Sequence, residues 1–128
     1  MQLQNAARIL VADDEQGIRE LLELELGLQG YVIETVTNGQ EAIDKIKKEK
    51  FDLVLCDIKM PKATGIQVLK EARKYNPDMR VIMMTGYGEE ANYNDSMRFG
   101  ASGFISKPFH IDEVVASVEK AINSTKIP

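Results

Sequence analysis

The sequence predicts an α/β fold: a doubly wound, five-stranded parallel sheet with helices on both faces. Three observations predict it. Short apolar runs alternate strictly with longer stretches of helical periodicity, five of each, and such alternation closes by right-handed crossovers onto a parallel sheet. The third run, residues 51–56, is apolar almost throughout, as suits a strand covered on both sides. The 128 residues, 44% hydrophobic and 28% charged, are enough for one core and too few for two.

Taken in order, Arg8–Ala12 is the first strand, and Asp13, Asp14 and Glu15 follow it. From Ile18, apolar residues recur with helical spacing at Leu21 and Leu22 and on to Leu24, Leu26 and Leu28, with Gly27 or Gly30 as the stop. Residues 31–36 form the second strand. Asn38 with Glu41 is a capping-box signature ahead of the stripe Ala42, Ile43 and Ile46. Residues 51–56 end at Asp57, and Pro61 and Gly65 bracket a loop. Ile66, Val68, Leu69 and Ala72 make the third helix, which stops before Pro77. Residues 80–84 are the fourth strand, followed by Thr85, Gly86, Tyr87 and Gly88. Residues 89–99 make a weakly amphipathic, asparagine-rich helix, with Asn92, Tyr93 and Asn94 in place of helix formers. Gly103–Ser106 is a short fifth strand. Lys107, Pro108 and Phe109 lead to a last helix with Ile111, Val114, Val115, Val118, Ala121 and Ile122, capped from solvent by His110. The final residues are polar and expected to fray.

Composition excludes several classes. The net charge of −4 gives no general affinity for a phosphate backbone, so no direct binding of nucleic acid is expected. One cysteine permits neither an internal disulfide nor an all-cysteine metal site. Cys56 precedes Asp57 and should face the other side of the sheet as a buried small hydrophobe. No apolar run reaches the roughly 18 residues of a membrane span, and the N-terminus lacks the order of a signal peptide. The expectation is one domain over residues 1–128, with its core at about 7–123, in the cytoplasm.

The polar residues fall where ligands bind in such sheets. Asp13, Asp14, Asp57, Thr85 and Lys107 all stand at the carboxyl ends of strands, which share one edge. Three carboxylates in one crevice call for a cation, and an all-oxygen site suits Mg²⁺. Lys107 adds a point charge suited to a phosphate, and Thr85 adds a hydroxyl donor. Gly86 would let backbone approach an anion closely. Phosphoryl transfer needs little beyond such positioning and charge neutralisation. Asp57, ending the most apolar strand, is the best acceptor for an acyl phosphate, while Asp13 and Asp14 more naturally share the metal. Dinucleotide and P-loop glycine motifs are absent. An aspartyl phosphatase would want a second acid two residues after its nucleophile, where this chain has Lys59.

Asp13-Asp14, Asp57-x-x-Met60-Pro61 with Gly65, Thr85-Gly86 and Gly100-Ala101-x-x-Phe104-x-x-Lys107-Pro108-Phe109 together resemble the receiver domain of two-component response regulators, over about residues 7–123. The local texture is similar to receivers that precede sigma-54-type activator modules and to some freestanding receivers. The resemblance implies a flavodoxin-like sheet in the order 2-1-3-4-5. It implies that Asp57 is phosphorylated and that Mg²⁺, or Mn²⁺, is held by Asp14, Asp13, Asp57 and the main-chain carbonyl of Lys59. Thr85 and Lys107 then bind the phosphoryl group, and Pro108 follows a cis peptide bond. Phe104 takes the place of the aromatic switch. It lacks the hydroxyl of the Tyr or His more usual there, so its coupling to Thr85 has to rest on packing.

The function so implied is a phosphoacceptor switch fed by a sensor histidine kinase or a histidine phosphotransfer protein, with Ile18, Pro108 and Phe109 as docking contacts. Its output would leave by the face of the fourth helix, fifth strand and fifth helix toward a downstream effector. It would catalyse its own phosphorylation and dephosphorylation without being an enzyme in the turnover sense. The receiver fragment of a DNA-binding transcriptional regulator is an alternative, and an aspartyl phosphatase or a non-switching scaffold are others.

Overall fold

The computed structural model describes residues 6–86 and 90–124. Tyr87, Gly88 and the tail, residues 125–128, lie outside the described residues. Five strands and five helices alternate: β1 Arg8–Ala12, α1 Gln16–Leu28, β2 Val32–Val36, α2 Gly39–Lys48, β3 Leu53–Asp57, α3 Gly65–Tyr75, β4 Arg80–Thr85, α4 Glu90–Arg98, β5 Gly103–Ser106 and α5 Ile111–Asn123. The strands are parallel in the order β2-β1-β3-β4-β5, so β3 is central and buried along its whole length.

Strand alternation divides the core in two. Leu10, Ala12, Val54, Cys56, Val81 and Met83 face α2 and α3. Ile9, Val11, Leu53, Leu55, Ile82 and Met84 face α1 and α5, where Leu22, Leu26, Val114 and Val118 meet them. Cys56 therefore lies on the side of the sheet away from Leu55, as its place next to Asp57 predicts, and burial pushes its thiol well above the usual range.

Local signals set the helix starts, with one difference. Asn38 Oδ1 accepts from the Glu41 N–H at 2.9 Å, as expected of the cap. The returning Glu41 carboxylate, however, bonds the N–H and hydroxyl of Thr37 at 2.7 and 2.9 Å. The fully reciprocal box is at α3, where Thr64 and Gln67 cap each other. At α5 the Glu113 carboxylate accepts from the His110 N–H at 2.9 Å. Gly27 stays inside α1, and Gly30 at φ 99° makes the turn after it. At the far end of the sheet, Arg8 ties Glu34 and Glu49 together over the Phe51 ring, and Lys45 bonds the same two carboxylates.

Candidate phosphoacceptor site

The carboxyl ends of the strands carry the five polar residues the sequence places there. Asp57 closes β3 and Thr85 closes β4, Asp13 and Asp14 follow β1, and Lys107 follows β5. The Lys107 Nζ joins them. It donates to Asp13 Oδ2 at 2.8 Å, to Asp57 Oδ2 at 3.2 Å and to Glu15 Oε2 at 3.3 Å. Lys107 is 94 residues from Asp13 and 50 from Asp57 in sequence, so these bonds exist only because β1, β3 and β5 are in one sheet. The Lys107–Pro108 peptide is cis.

The acids differ in environment. Asp13 is fully buried, and its Oδ1 accepts from the Glu15 N–H at 2.9 Å. Arg19 donates to the Asp13 carbonyl at 2.9 Å. Asp14 is exposed. Asp57 is 6% exposed. Its burial, and then the negative charge of Asp13, raise its carboxyl above the usual range, and Lys107 only partly offsets them. Burial would lower the Lys107 ammonium, but its bonds and charge attraction to Asp13 and Asp57 outweigh that and hold it above the ordinary lysine value. Thr85 Oγ1 is buried with no hydrogen-bond partner among the described residues, a cost normally tolerated only for a reason such as a ligand.

This donor set fits a hard divalent cation. Carboxylate oxygens of Asp13, Asp14, Glu15 and Asp57 lie within 4.8 Å of one another, and no softer ligand accompanies them. The repulsion that raises Asp57 is the charge such an ion would neutralise. Glu15 is the member that the sequence reading passed over; its position immediately after Asp13-Asp14 was the available signal. Lys59 stands exposed just past β3. Met60 and Ala63 are buried in the loop, and Lys62 takes φ 72°. Gly65 is required by a close approach: a Cβ there would sit 2.4 Å from the Asp57 carbonyl oxygen and 2.7 Å from the Ile58 Cα. At Gly86 a Cβ would meet nothing within 4 Å among the described residues.

A family model described as the response regulator receiver domain matches residues 9–119. The chain belongs to the response regulator receiver family. It is 42% identical over 113 residues to sporulation initiation phosphotransferase F of Bacillus subtilis, covering 88% of this chain and 91% of that protein. It is 37% identical over 115 residues to the regulatory protein AtoC of Escherichia coli, covering 90% of this chain but 25% of AtoC. Among solved structures, a CheY-like receiver domain protein from Methanospirillum hungatei superimposes with a TM-score of 0.89 at 33% identity, over 93% of this chain and 95% of that one. The response regulator TrrA of Thermotoga maritima, solved in complex with Mg²⁺–BeF, gives 0.81 at 41% identity, over 90% and 98%. The receiver therefore spans nearly all of some relatives and a quarter to a half of several transcriptional regulators.

Around the crevice, Ile18 and Phe109 are half-buried against the α1/α5 core and Pro108 is exposed. The exposed leucines of α1 are Leu21, Leu24 and Leu28, at 38%, 59% and 71% exposure, increasing toward the end of the helix away from the crevice, while Leu26 is buried in the core. Phe104 is half-buried against the α2/α3 core. No helix among the described residues is long and apolar enough to cross a membrane.

Proposed function

We propose that this receiver is a two-component switch in which Asp57 takes a phosphoryl group from a phosphohistidine donor in a Mg²⁺-dependent step. The single observation that carries the reading is the Lys107 ammonium bonded to both Asp57 and the buried Asp13. An Asp57 carboxylate oxygen attacks phosphorus, the P–N bond to the donor imidazole breaks, and an acyl phosphate forms on Asp57. The Lys107 ammonium neutralises charge on the transferred group, and the unpartnered Thr85 hydroxyl donates to one of its oxygens. Asp13, Asp14, Asp57 and the Lys59 carbonyl would hold the ion, whose chemistry is to neutralise the phosphoryl oxygens. Self-catalysed hydrolysis by water ends the signal, with no turnover on other substrates. Its place is a phosphorelay between a histidine kinase or phosphotransfer protein and an effector that meets α4, β5 and α5.

Acetyl phosphate with Mg²⁺ is expected to add one phosphoryl group to the wild type and none to Asp57→Asn, read by intact mass. Equal labelling of both would overturn the assignment. Ile18, Pro108 and Phe109 rim the crevice where the donor docks. Ile18→Ala should slow transfer from phosphohistidine while leaving acetyl phosphate labelling unchanged.

The share of AtoC that the chain covers favours a second reading of its context, the receiver part of a longer DNA-binding regulator. The chemistry at Asp57 is the same in both.

A further inference from the structure

Phe104 has no hydroxyl with which to fix its ring, so its position depends on what packs around it. Its inner side meets the α2/α3 core. Another side meets Tyr93 of α4: the two rings lie edge to face, with centroids 5.0 Å apart and planes at 87°. Tyr93 is 46% exposed, so its ring is an outer wall rather than part of the core. On the sheet, Phe104 pairs with Met83 and Ser106 with Thr85. Side chains two residues apart on a strand share a face, so Thr85 lies on the side of Phe104 and Met83, diagonal to Phe104 across the strand pair. Thr85 Oγ1, the buried hydroxyl without a partner, is thus close in register to the one ring that touches α4 in this way among the described residues.

We infer that Tyr93 is a positioning residue for the switch: the edge-to-face contact of its ring retains Phe104 in the observed place, and through that contact ties α4 to the state of Thr85. The inference rests on the phosphoacceptor reading above and adds the residue that sets the balance. When the Thr85 hydroxyl turns to a phosphoryl oxygen, space opens beside Phe104. Its ring then moves inward, leaves Tyr93 and frees α4, a helix whose sequence has few strong helix formers. The tyrosine hydroxyl has no part in this, since the contact is made by rings.

The test compares Tyr93→Ala and Tyr93→Phe in the wild-type and Thr85→Ala backgrounds; alanine is a strong helix former, so α4 is not weakened by propensity. Without Mg²⁺, the Phe104 ring protons should shift in Tyr93→Ala and stay in place in Tyr93→Phe. With Mg²⁺ and beryllofluoride, followed by amide shifts around Asp57, Tyr93→Ala should bind the phosphoryl mimic more tightly by about 2- to 12-fold. That is the worth of an edge-to-face ring pair written as an equilibrium constant. Tyr93→Phe should match wild type, and in Thr85→Ala the Tyr93→Ala effect should vanish. An unchanged affinity in Tyr93→Ala overturns the inference. So does an equal change in the Thr85→Ala background, which would mean mere packing, or a Tyr93→Phe that behaves as alanine. A wild type that does not respond to the mimic at all overturns the phosphoacceptor reading, and this inference with it.

Discussion

Lys107→Ala, measured without divalent cations, isolates what the lysine does for its acidic neighbours. Its ammonium is 2.8 Å from Asp13 and 3.2 Å from Asp57, with side-chain exposures of 15%, 0% and 9% for Lys107, Asp13 and Asp57. At an effective dielectric constant of about 20, these two attractions amount to about 6 and 5 kcal/mol. Desolvation of the three groups opposes them by several kcal/mol each, so the pairs are worth far less than the sum. The third contact, to Glu15 at 61% exposure, adds little. Removing the lysine alone leaves two buried carboxylates facing each other, a change that costs about 3–5 kcal/mol where both stay charged. Asp57, whose carboxyl is already raised, relieves part of that by taking up a proton, so we expect about 3 kcal/mol. For a chain of this size that lowers Tm by about 10 °C. Urea and thermal unfolding at pH 7 in a chelator measure it, with Lys107→Met as the variant that keeps the aliphatic stem. Mg²⁺ should then stabilise Lys107→Ala more than wild type, because the ion supplies the charge the lysine no longer does. The lysine's own contribution has a defined pH window. Its folded value is raised, so the contribution is complete at neutral pH and is lost as pH rises from about 10.4 through the folded value. A loss below about 1 kcal/mol, or Mg²⁺ favouring the wild type, would refute the reasoning.

Asp57→Asn should stabilise the Mg²⁺-free protein at pH 7, because it removes a charge that burial and the neighbouring Asp13 disfavour despite Lys107. The Asp57 carboxyl is raised in the fold, so its favourable contribution is complete below about pH 3.9 and is lost as pH rises through the folded value. The gain should accordingly disappear in acid; a destabilised Asp57→Asn in chemical unfolding would show that the bond from Lys107 prevails. Asp14→Ala should weaken Mg²⁺ binding more than Asp13→Ala in divalent titrations, since both Asp13 oxygens already accept bonds within the chain while Asp14 is exposed; the reverse order would exchange their roles. Gly65→Ala, whose Cβ would meet the Asp57 carbonyl and the Ile58 backbone, should destabilise by about 1–3 kcal/mol and slow acetyl phosphate labelling. Normal labelling with unchanged unfolding would show that this loop yields freely.

Much of the architecture was legible because it is written in short-range patterns. β1 and β5 have the bounds their apolar runs predict, and β3 differs from its run only at the ends. The nearly continuous apolar stretch before Asp57 belongs to the central strand, since a strand covered on both faces tolerates it. Gly65, which the sequence marks as the end of a loop that starts at Pro61, is the first residue of α3, capped by the Thr64–Gln67 box. At Glu41 the motif was present, but its carboxylate found Thr37 one residue earlier.

By itself the sequence determined which groups collect at the carboxyl edge of the sheet. Polar residues that end apolar strands in a parallel fold have one place to go, so Asp13, Asp14, Asp57, Thr85 and Lys107 were readable as one set. Tertiary structure alone decided how they differ. It buried Asp13 and left Asp14 in solvent, drew Glu15 to Lys107, left the Thr85 hydroxyl without a partner among the described residues and set the Tyr93 and Phe104 rings edge to face. The physical reason is range. Apolar periodicity and caps act over a few residues, whereas burial, charge repulsion and ring contacts depend on strand order and on bonds spanning up to 94 positions of chain.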